Sequence, residues 1–141
     1  MLQFTDYCYN QSAVIPVRGS GEALRILMIS SRTSKRWVIP KGIVEPDLSP
    51  QASAAKEALE EAGIEGTVMP DSIGTYEYEK WGGTCVAQVF VMRVEKVHDH
   101  WLESFRERVW LSVEEAAQRV KEEKLREILR QVPTFMATLV S

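Results

Sequence analysis

The chain has 141 residues, of which 45% are hydrophobic and 26% charged, a composition typical of a soluble globular domain. Its formal net charge of −3 argues against a general binder of nucleic-acid polymers, which normally carries a basic excess. Cys8 and Cys85 form no CxxC pair, which argues against a disulfide scaffold and favours a reducing compartment. No signal-peptide pattern and no membrane-spanning apolar run is visible. We therefore expect one cytoplasmic domain over residues 1–141, with no membrane partner.

The first predicted elements are β-strands. Segments 12–17 and 23–30 are rich in branched apolar residues and flank a turn with two glycines, which predicts a β-hairpin. Pro16 lacks an N–H group, so we expect the first strand to lie at a sheet edge or to contain a bulge. A third, short strand is expected around Trp37, ending at Pro40.

A helix is predicted next. Ser49 is suited to the N-cap, Pro50 to the first helical position and Gly63 to the C-terminal stop. At ~100° per residue, the apolar residues form one stripe and the glutamates the opposite face. The expected apolar stripe consists of Ala52, Ala55, Ala58, Leu59 and Ala62.

The second half of the chain predicts another hairpin and further helices. Segments 66–80 and 84–97 carry strand-forming residues and are joined across Trp81-Gly82-Gly83. Segment 106–111 is a short last strand, followed by a capping box of Ser112 and Glu115. A final amphipathic helix is expected within residues 121–140, interrupted at Pro133. Strands flanked by helices favour a mixed sheet with helices packed on both faces.

Three glutamates carry the strongest functional signal. Glu57, Glu60 and Glu61 have spacings i, i+3 and i+4, at which like charges repel by a few tenths of a kcal/mol. They also lie late in the helix, where the macrodipole disfavours anions. A hard divalent cation such as Mg²⁺ relieves both conflicts, because it binds carboxylates together with water and phosphate oxygens. The alternative is a solvated helix face without a ligand.

Basic residues precede the acidic helix. Arg32, Lys35, Arg36 and Lys41 lie within ten residues and lead directly into Gly42. A basic loop alone would serve equally well for solubility. Together with a cation-binding helix, however, it predicts a site for a phosphorylated small molecule. Arg106 and Arg108 would point to the same face if their segment is a strand.

From Gly42 to Ile64 the chain resembles the Nudix box, G-x5-E-x7-R-E-U-x-E-E-x-G-U, in which U is bulky and apolar. The positions that agree are Gly42, Glu57, Glu60, Glu61, Gly63 and Ile64. The segments WVIPKG and RERVWLSVEEA also resemble Nudix hydrolases, especially the diphosphoinositol-polyphosphate and diadenosine-polyphosphate hydrolase branch. Three positions depart from the box, namely Leu48 for the first glutamate, Lys56 for the arginine and Ala58 for the bulky residue.

The resemblance implies an α/β/α sandwich and a reaction. The expected reaction is Mg²⁺-dependent hydrolysis, with Mn²⁺ as a substitute, of a pyrophosphate linkage in a nucleoside diphosphate derivative, dinucleoside polyphosphate or inositol pyrophosphate. The expected metal ligands are Glu57, Glu60, Glu61 and the backbone carbonyl of Lys41, with Glu60 or Glu61 as the catalytic base. The expected substrate-binding residues are Arg32, Arg36, Lys41, Arg106 and Arg108. The residues expected to shape the motif are Gly42, Lys56 and Gly63.

The departures from the box leave alternatives open. In the family, the first glutamate chiefly anchors the loop to the helix, and Glu45 or Asp47 could substitute for it here. Lys56 keeps the positive charge but lacks the bidentate fork of arginine. One alternative is therefore a Nudix-like nucleotide- or metal-binding module with little or no turnover. Another is an interaction domain whose acidic helix is a docking face.

Two further expectations complete the sequence-based interpretation. Additional candidates for a ligand or base are Glu77, Glu79, Glu103 and Glu107, although exposed strand or loop charges are the favoured reading. The protein is expected to act on a small phosphorylated substrate as a monomer or homodimer.

Overall fold

The protein contains a large mixed β-sheet with helices on both faces, in a computed structural model that describes residues 10–33, 35–80 and 82–140. The strands, in chain order, are β1 (Gln11–Arg18), β2 (Arg25–Ser30), β3 (Trp37–Val38), β4 (Lys41–Ile43), β5 (Ile64–Val68), β6 (Gly74–Lys80), β7 (Gly83–Val97) and β8 (Arg108–Leu111). The helices are α1 (Pro50–Glu57), α2 (Val113–Arg119), α3 (Glu123–Arg130) and α4 (Val132–Val140). A π-helical turn, Ala58–Ala62, continues α1 without a break.

Strands β1 and β7 form the centre of the sheet. They are parallel, whereas the other pairings between described strands are antiparallel. On its other side β1 pairs with β2 and β4, while β7 pairs with β5 and β6. Seven consecutive residues of β1, from Gln11 to Val17, are buried, as expected for a strand covered on both faces.

Pro16 lies in this central strand, so the expectation of an edge or bulged strand is wrong. Strand β4 pairs with Gln11–Ala13, and β2 pairs with Val17–Arg18. The amide of Val14 donates to the carbonyl of Pro40 on this side. The nitrogen of Pro16, two residues further, points to the same side. Pro16 lies between the segment of β1 that pairs with β4 and the segment that pairs with β2. Its missing N–H group therefore removes no hydrogen bond between paired strands.

Two hydrophobic cores cover the two faces of the sheet. Along β1, Val14 points into one core and Ile15 into the other, as strand alternation requires. The core under α1 includes Val14, Leu27, Phe90, Ala54, Ala58 and Ala62. The core under α2 and α3 includes Ile15, Met28, Val91, Ala117, Ile128 and Leu129. This arrangement confirms the predicted α/β/α sandwich with its mixed sheet.

Most of the predicted elements are present, with different ends. The β1–β2 hairpin and the β6–β7 hairpin both form, the latter with Lys80 opposite Gly83. Segment 66–80 is divided into β5 and β6, which both pair with β7. The C-terminal helix is interrupted at Gln131, and Pro133 lies in the first turn of α4, where proline is tolerated.

Cys85 is buried, as expected, whereas Cys8 and Trp81 lie outside the described residues. None of the helices in the described part of the chain combines the length and apolar character needed to cross a bilayer.

Candidate active site

The helix that carries the three glutamates is held at both ends as predicted. The Oγ of Ser49 accepts a hydrogen bond of 3.1 Å from the amide of Ala52, and Pro50 occupies the first turn. Gly63 ends the helix in the left-handed conformation, with a φ of +66°. A Cβ on Gly63 would lie 2.7 Å from Cγ of Trp101, so glycine is required both for the backbone angle and for space.

The buried face of this helix differs from the predicted apolar stripe. Ala52 is exposed and Leu59 is 40% exposed, whereas Ala54 is fully buried. Ser53 is also buried, and its Oγ accepts a hydrogen bond from the amide of Glu45. A hydrogen-bonded serine on the buried face cannot be recognised from apolar spacing. After Glu57 the π-helical turn takes more residues per turn than an α-helix, so the 100° wheel no longer applies.

Glu57 and Glu61 lie on the side of the helix that faces β4. The amide of Lys41 donates to Oε1 of Glu61 at 3.2 Å. A Cβ at Gly42 would lie 2.3 Å from Oε1 of Glu57, so the carboxylate occupies the space that a larger residue would fill. The bare backbone of β4 therefore forms one wall of a cradle for this acidic pair.

The surroundings of Glu57 and Glu61 disfavour the ionised form of both carboxyl groups. Burial raises the pKa of Glu61 to about 8, and its hydrogen bond to Glu57 and the charge of Glu57 add to the rise. Burial also raises the pKa of Glu57. Two neighbouring carboxylates cannot both ionise without cost. A positive ligand would remove that cost.

The donor set fits a divalent cation. Carboxylate oxygens are the ligands that Mg²⁺ prefers, and Mg²⁺ keeps several waters and substrate oxygens in its shell. Among the described residues no group of three or more His, Cys, Asp or Glu side chains is gathered at one point. Glu57 and Glu61 would therefore hold a cation together with oxygens from solvent or substrate.

The third glutamate of the helix, Glu60, lies beside Lys56. Its Oε2 lies 3.7 Å from Nζ of Lys56, one helical turn earlier. Its backbone carbonyl accepts a hydrogen bond from the amide of Glu103. The predicted roles of Glu60 as metal ligand and base, and of the Lys41 carbonyl as ligand, stay predictions.

Glu45 connects the loop before α1 to the helix. Its carboxylate contacts Nζ of Lys56, and its amide donates to Oγ of Ser53 at 3.2 Å. Both contacts tie the loop before α1 to the helix itself. Glu45 is one of the two residues considered as substitutes for the missing glutamate, and the motif residue Lys56 is its partner.

Arg108 is engaged outside the cleft. Its guanidinium lies 3.8 Å from the ring centroid of Trp101 and donates to the carbonyls of Ala62 and His98. It therefore clamps the end of the π-helical turn and is not among the residues that line the cleft. The idea that Arg106 and Arg108 share a strand face is wrong, because β8 begins at Arg108 and Arg106 lies in the preceding loop.

An open cleft of about 880 Å³ adjoins Glu61. Four of the five predicted substrate-binding residues line it: Arg32, Arg36, Lys41 and Arg106. Three further basic residues were not predicted, namely Lys80, Lys121 and Lys124. They come from β6 and from the segment around the start of α3, and no local sequence pattern links these segments to the acidic helix.

Lys41 provides a positive charge on the wall of this cleft. Its Nζ lies 3.7 Å from the ring centroid of Tyr78, whose hydroxyl donates to Gln11. Burial lowers the pKa of Lys41, against a smaller opposing influence of Glu122. A partly desolvated ammonium gains from an anionic ligand more than an exposed one does.

Glu103 is close to the site, contrary to the favoured expectation of an exposed loop charge. Its side chain is 12% exposed and accepts a hydrogen bond of 3.0 Å from Nε of Arg106. Arg106, which is 7% exposed, also donates to the carbonyl of Ser30. The loop before β8 thus brings a carboxylate to the acidic helix, a tertiary contact that sequence spacing does not reveal.

Comparison with known proteins agrees with this geometry. The family model of the NUDIX domain matches residues 9–132 of this chain. Nudix hydrolase 16, mitochondrial, of Arabidopsis thaliana is 34% identical over 119 residues, covering 78% of this chain and 66% of that protein. Diphosphoinositol polyphosphate phosphohydrolase 3-alpha of Mus musculus is 31% identical over 109 residues, covering 75% of this chain and 65% of that protein.

The fold also has a solved counterpart. The crystal structure of C. elegans Ap4A hydrolase superposes with a TM-score of 0.75 at 21% identity, covering 91% of this chain and 98% of that one. The chain belongs to the NUDIX domain family. The matched region spans slightly less than two thirds of the length of the curated relatives named above.

Proposed function

We propose that this protein is a divalent-cation-dependent pyrophosphohydrolase that acts on a small phosphorylated substrate. The observation that carries the proposal is the pair of Glu57 and Glu61, held against the backbone of Lys41 and Gly42. Glu61 lines a cleft that contains seven basic and five acidic side chains among the described residues. An acidic pair opposite basic side chains suits a substrate whose negative phosphates contact both. Membership of the NUDIX domain family supports the same reaction.

Glu57 and Glu61 would hold Mg²⁺, or Mn²⁺ in its place. A divalent cation bound there would neutralise phosphate oxygens and lower the pKa of an attacking water. Of the two residues predicted as the base, Glu61 is the better candidate, because it lines the cleft whereas Glu60 lies beside Lys56.

The basic residues of the cleft bind and orient the phosphates. Arg36 is exposed at the cleft and offers the two parallel N–H groups that suit a phosphate. Lys41 acts as a point charge held against Tyr78. Arg32 adds a third cation, which lies 3.1 Å from Glu103.

We propose a dinucleoside polyphosphate or an inositol pyrophosphate as the substrate class. The support is the excess of cationic over aromatic side chains along the cleft, which favours recognition of phosphates over recognition of a base. The two classes appear in the names of the Mus musculus diphosphoinositol polyphosphate phosphohydrolase and the C. elegans Ap4A hydrolase. A panel of polyphosphates, dinucleotides, nucleotide sugars and nucleoside triphosphates, assayed for phosphate release with Mg²⁺ and with EDTA, tests this proposal.

A binding module without turnover is the second candidate. Leu48 and Lys56 favour it, because both depart from the Nudix box. The contact between Glu45 and Lys56 weighs against it, since it ties the loop to the helix without the usual residues. Metal-dependent binding of a polyphosphate without any phosphate release from the panel would favour this candidate.

A docking face is the weakest candidate, because Glu57 and Glu61 are partly buried against β4. A cytoplasmic location, a monomeric or homodimeric state and a single domain over residues 1–141 stay predictions.

A further inference from the structure

One carboxylate oxygen of Glu103 contacts two arginines, one of which is exposed and the other buried. Oε1 of Glu103 lies 3.1 Å from a terminal nitrogen of Arg32 and 3.0 Å from Nε of Arg106. The side chain of Arg106 is 6% exposed and is fixed by the carbonyl of Ser30 at 2.9 Å. The side chain of Arg32 is 63% exposed. Arg106 is therefore a fixed partner of Glu103, and Arg32 is a removable one.

Glu103 lies within electrostatic reach of the acidic pair. Its amide donates to the carbonyl of Glu60 at 3.0 Å, which fixes the loop against the π-helical turn. Glu60 is next to Glu61 in the chain and one helical turn from Glu57, so this contact holds Glu103 beside the acidic pair. The net charge of Glu103 and its two arginines therefore influences how strongly the acidic pair attracts a cation.

Arg32 faces the cleft in which an anionic substrate would bind. An ion pair with one exposed partner contributes little and is readily broken. A phosphate group offers several oxygens to the guanidinium fork, and this bidentate geometry is stronger than a single contact to one carboxylate oxygen. A phosphate in the cleft can thus compete with Glu103 for Arg32.

We propose that Arg32 is a displaceable partner of Glu103 that couples phosphate binding to cation binding. A phosphate takes Arg32 away from Glu103, Arg106 keeps Glu103 in place, and the uncovered negative charge strengthens the attraction of Glu57 and Glu61 for a cation. By thermodynamic linkage a bound cation favours the phosphate-bound form of Arg32 to the same extent. The identity of both ligands rests on the proposed function, whereas the displacement does not require turnover.

The first experiment measures phosphate binding without metal. Inorganic tripolyphosphate is titrated calorimetrically in EDTA into the parent protein, Glu103→Gln, Arg32→Ala and the double variant. Removing the carboxylate frees Arg32, so Glu103→Gln is expected to bind tripolyphosphate at least about threefold more tightly, a gain that is lost in the Arg32→Ala background. Glu107→Gln is the matched control, because Glu107 is an exposed acid of the same loop. An equal gain from Glu103→Gln in both backgrounds would overturn the proposal.

The second experiment measures cation binding without phosphate. Arg32→Ala imitates the displaced state, so it is expected to bind Mn²⁺ several-fold more tightly than the parent, and adding Glu103→Gln should remove the gain. Arg36→Ala controls for the loss of any positive charge from the cleft, because Arg36 lines the cleft and is not paired with Glu103. The proposal fails if Arg36→Ala and Arg32→Ala tighten Mn²⁺ equally.

Both readouts are independent of hydrolysis. Loss of coupling in a protein that releases phosphate would refute the displacement and leave the proposed function standing. Coupling in a protein that releases no phosphate from any substrate would support the displacement and refute the proposed function. Arg32 is a surface residue, so its variant keeps the experiment decisive even if Glu103→Gln unfolds by leaving Arg106 unpaired.

Discussion

Gly42 and Glu57 are in contact across the gap between β4 and α1, where a Cβ on the glycine would lie 2.3 Å from Oε1 of the glutamate. The glycine provides space for the carboxylate at this position. The acidic residue can approach the strand backbone only because this side chain is missing. The position of Glu57 therefore depends on a residue fifteen positions earlier in the chain.

The substitution Gly42→Ala should displace the Glu57 carboxylate. A misplacement of about 1 Å in a catalytic site costs ~100-fold in rate, and we expect a loss of that order in Mg²⁺-dependent phosphate release. The rise in melting temperature on adding Mg²⁺ should shrink as well. Ile43→Ala, which changes the adjacent and 44% exposed residue of β4, should keep the parent rate. Parent-like activity of Gly42→Ala would show that Glu57 does not need this position.

Glu61→Gln should abolish most hydrolysis and leave the fold intact. The amide oxygen of glutamine can still accept from the amide of Lys41, whereas the charge that attracts a cation is lost. A loss of ~100- to 1,000-fold in kcat is expected, as for removal of one main electrostatic group elsewhere. Glu65→Gln, in β5 and outside the cleft, is the control. Near-normal turnover at saturating Mg²⁺ would refute the assignment.

The stability of the metal-free protein should fall as pH rises through the neutral range. Burial raises the pKa of Glu61 from an ordinary 4.5 to about 8, so the folded state binds a proton that the unfolded state has released. Between these two values the free energy of unfolding decreases with pH, and above the higher value it is constant with respect to this group. Melting temperatures in EDTA at several pH values measure this slope. Glu61→Gln should flatten it; an equal slope in parent and variant would contradict the prediction.

Restoring the usual residues of the Nudix box should not lower the proposed activity. Lys56→Arg keeps a positive partner for Glu45 and adds a guanidinium that can donate two parallel hydrogen bonds, so phosphate release should be unchanged or higher. The same result is expected for Leu48→Glu. The charge reversal Glu45→Lys should lower activity by loosening the loop, and Lys56→Glu added to it should recover part of the loss. A large loss in Lys56→Arg would show that the ammonium itself is required.

Substrate affinity should decrease with salt, because exposed ion pairs are screened over ~10 Å at 0.1 M ionic strength. Replacing Arg32 and Arg36 with Ala should raise KM more than it lowers kcat, since both residues bind phosphate in the proposed complex. Steady-state kinetics at several salt concentrations provide the measurement. A strong preference for one nucleoside triphosphate, insensitive to salt and to both substitutions, would contradict phosphate-based recognition.

The parts of the site that could be predicted are those with local signals. Ser49, Pro50 and Gly63 mark the helix ends by their own chemistry, and the structure agrees at each of them. Glu57, Glu60 and Glu61 are predicted as one cluster from their spacing on that helix, and the structure pairs Glu57 with Glu61. Glu60 has a comparable spacing from Glu57 but lies beside Lys56, so spacing alone does not say which two of the three carboxylates pair.

The parts that could not be predicted depend on contacts between distant segments. Arg106 and Arg108 have the same charge and nearly the same position, yet one turns toward Glu103 and the other toward Trp101. Leu59 is apolar but remains 40% exposed, because the π-helical turn changes the direction of its side chain. Pro16 is tolerated in a central strand only because two neighbouring strands leave a gap beside it.

The unequal lengths of the strands give different parts of the sheet different local stability. Strand β7 has 15 residues with partners on both edges, whereas β4 has three residues. Amide hydrogens in β7 should be released to deuterated solvent only on global unfolding, while those of β4 should be released by small local openings. The amide hydrogen of Lys41 is shielded in part by the Glu61 carboxylate itself. Its rate of deuterium uptake therefore measures how often the acidic pair separates from the strand that cradles it.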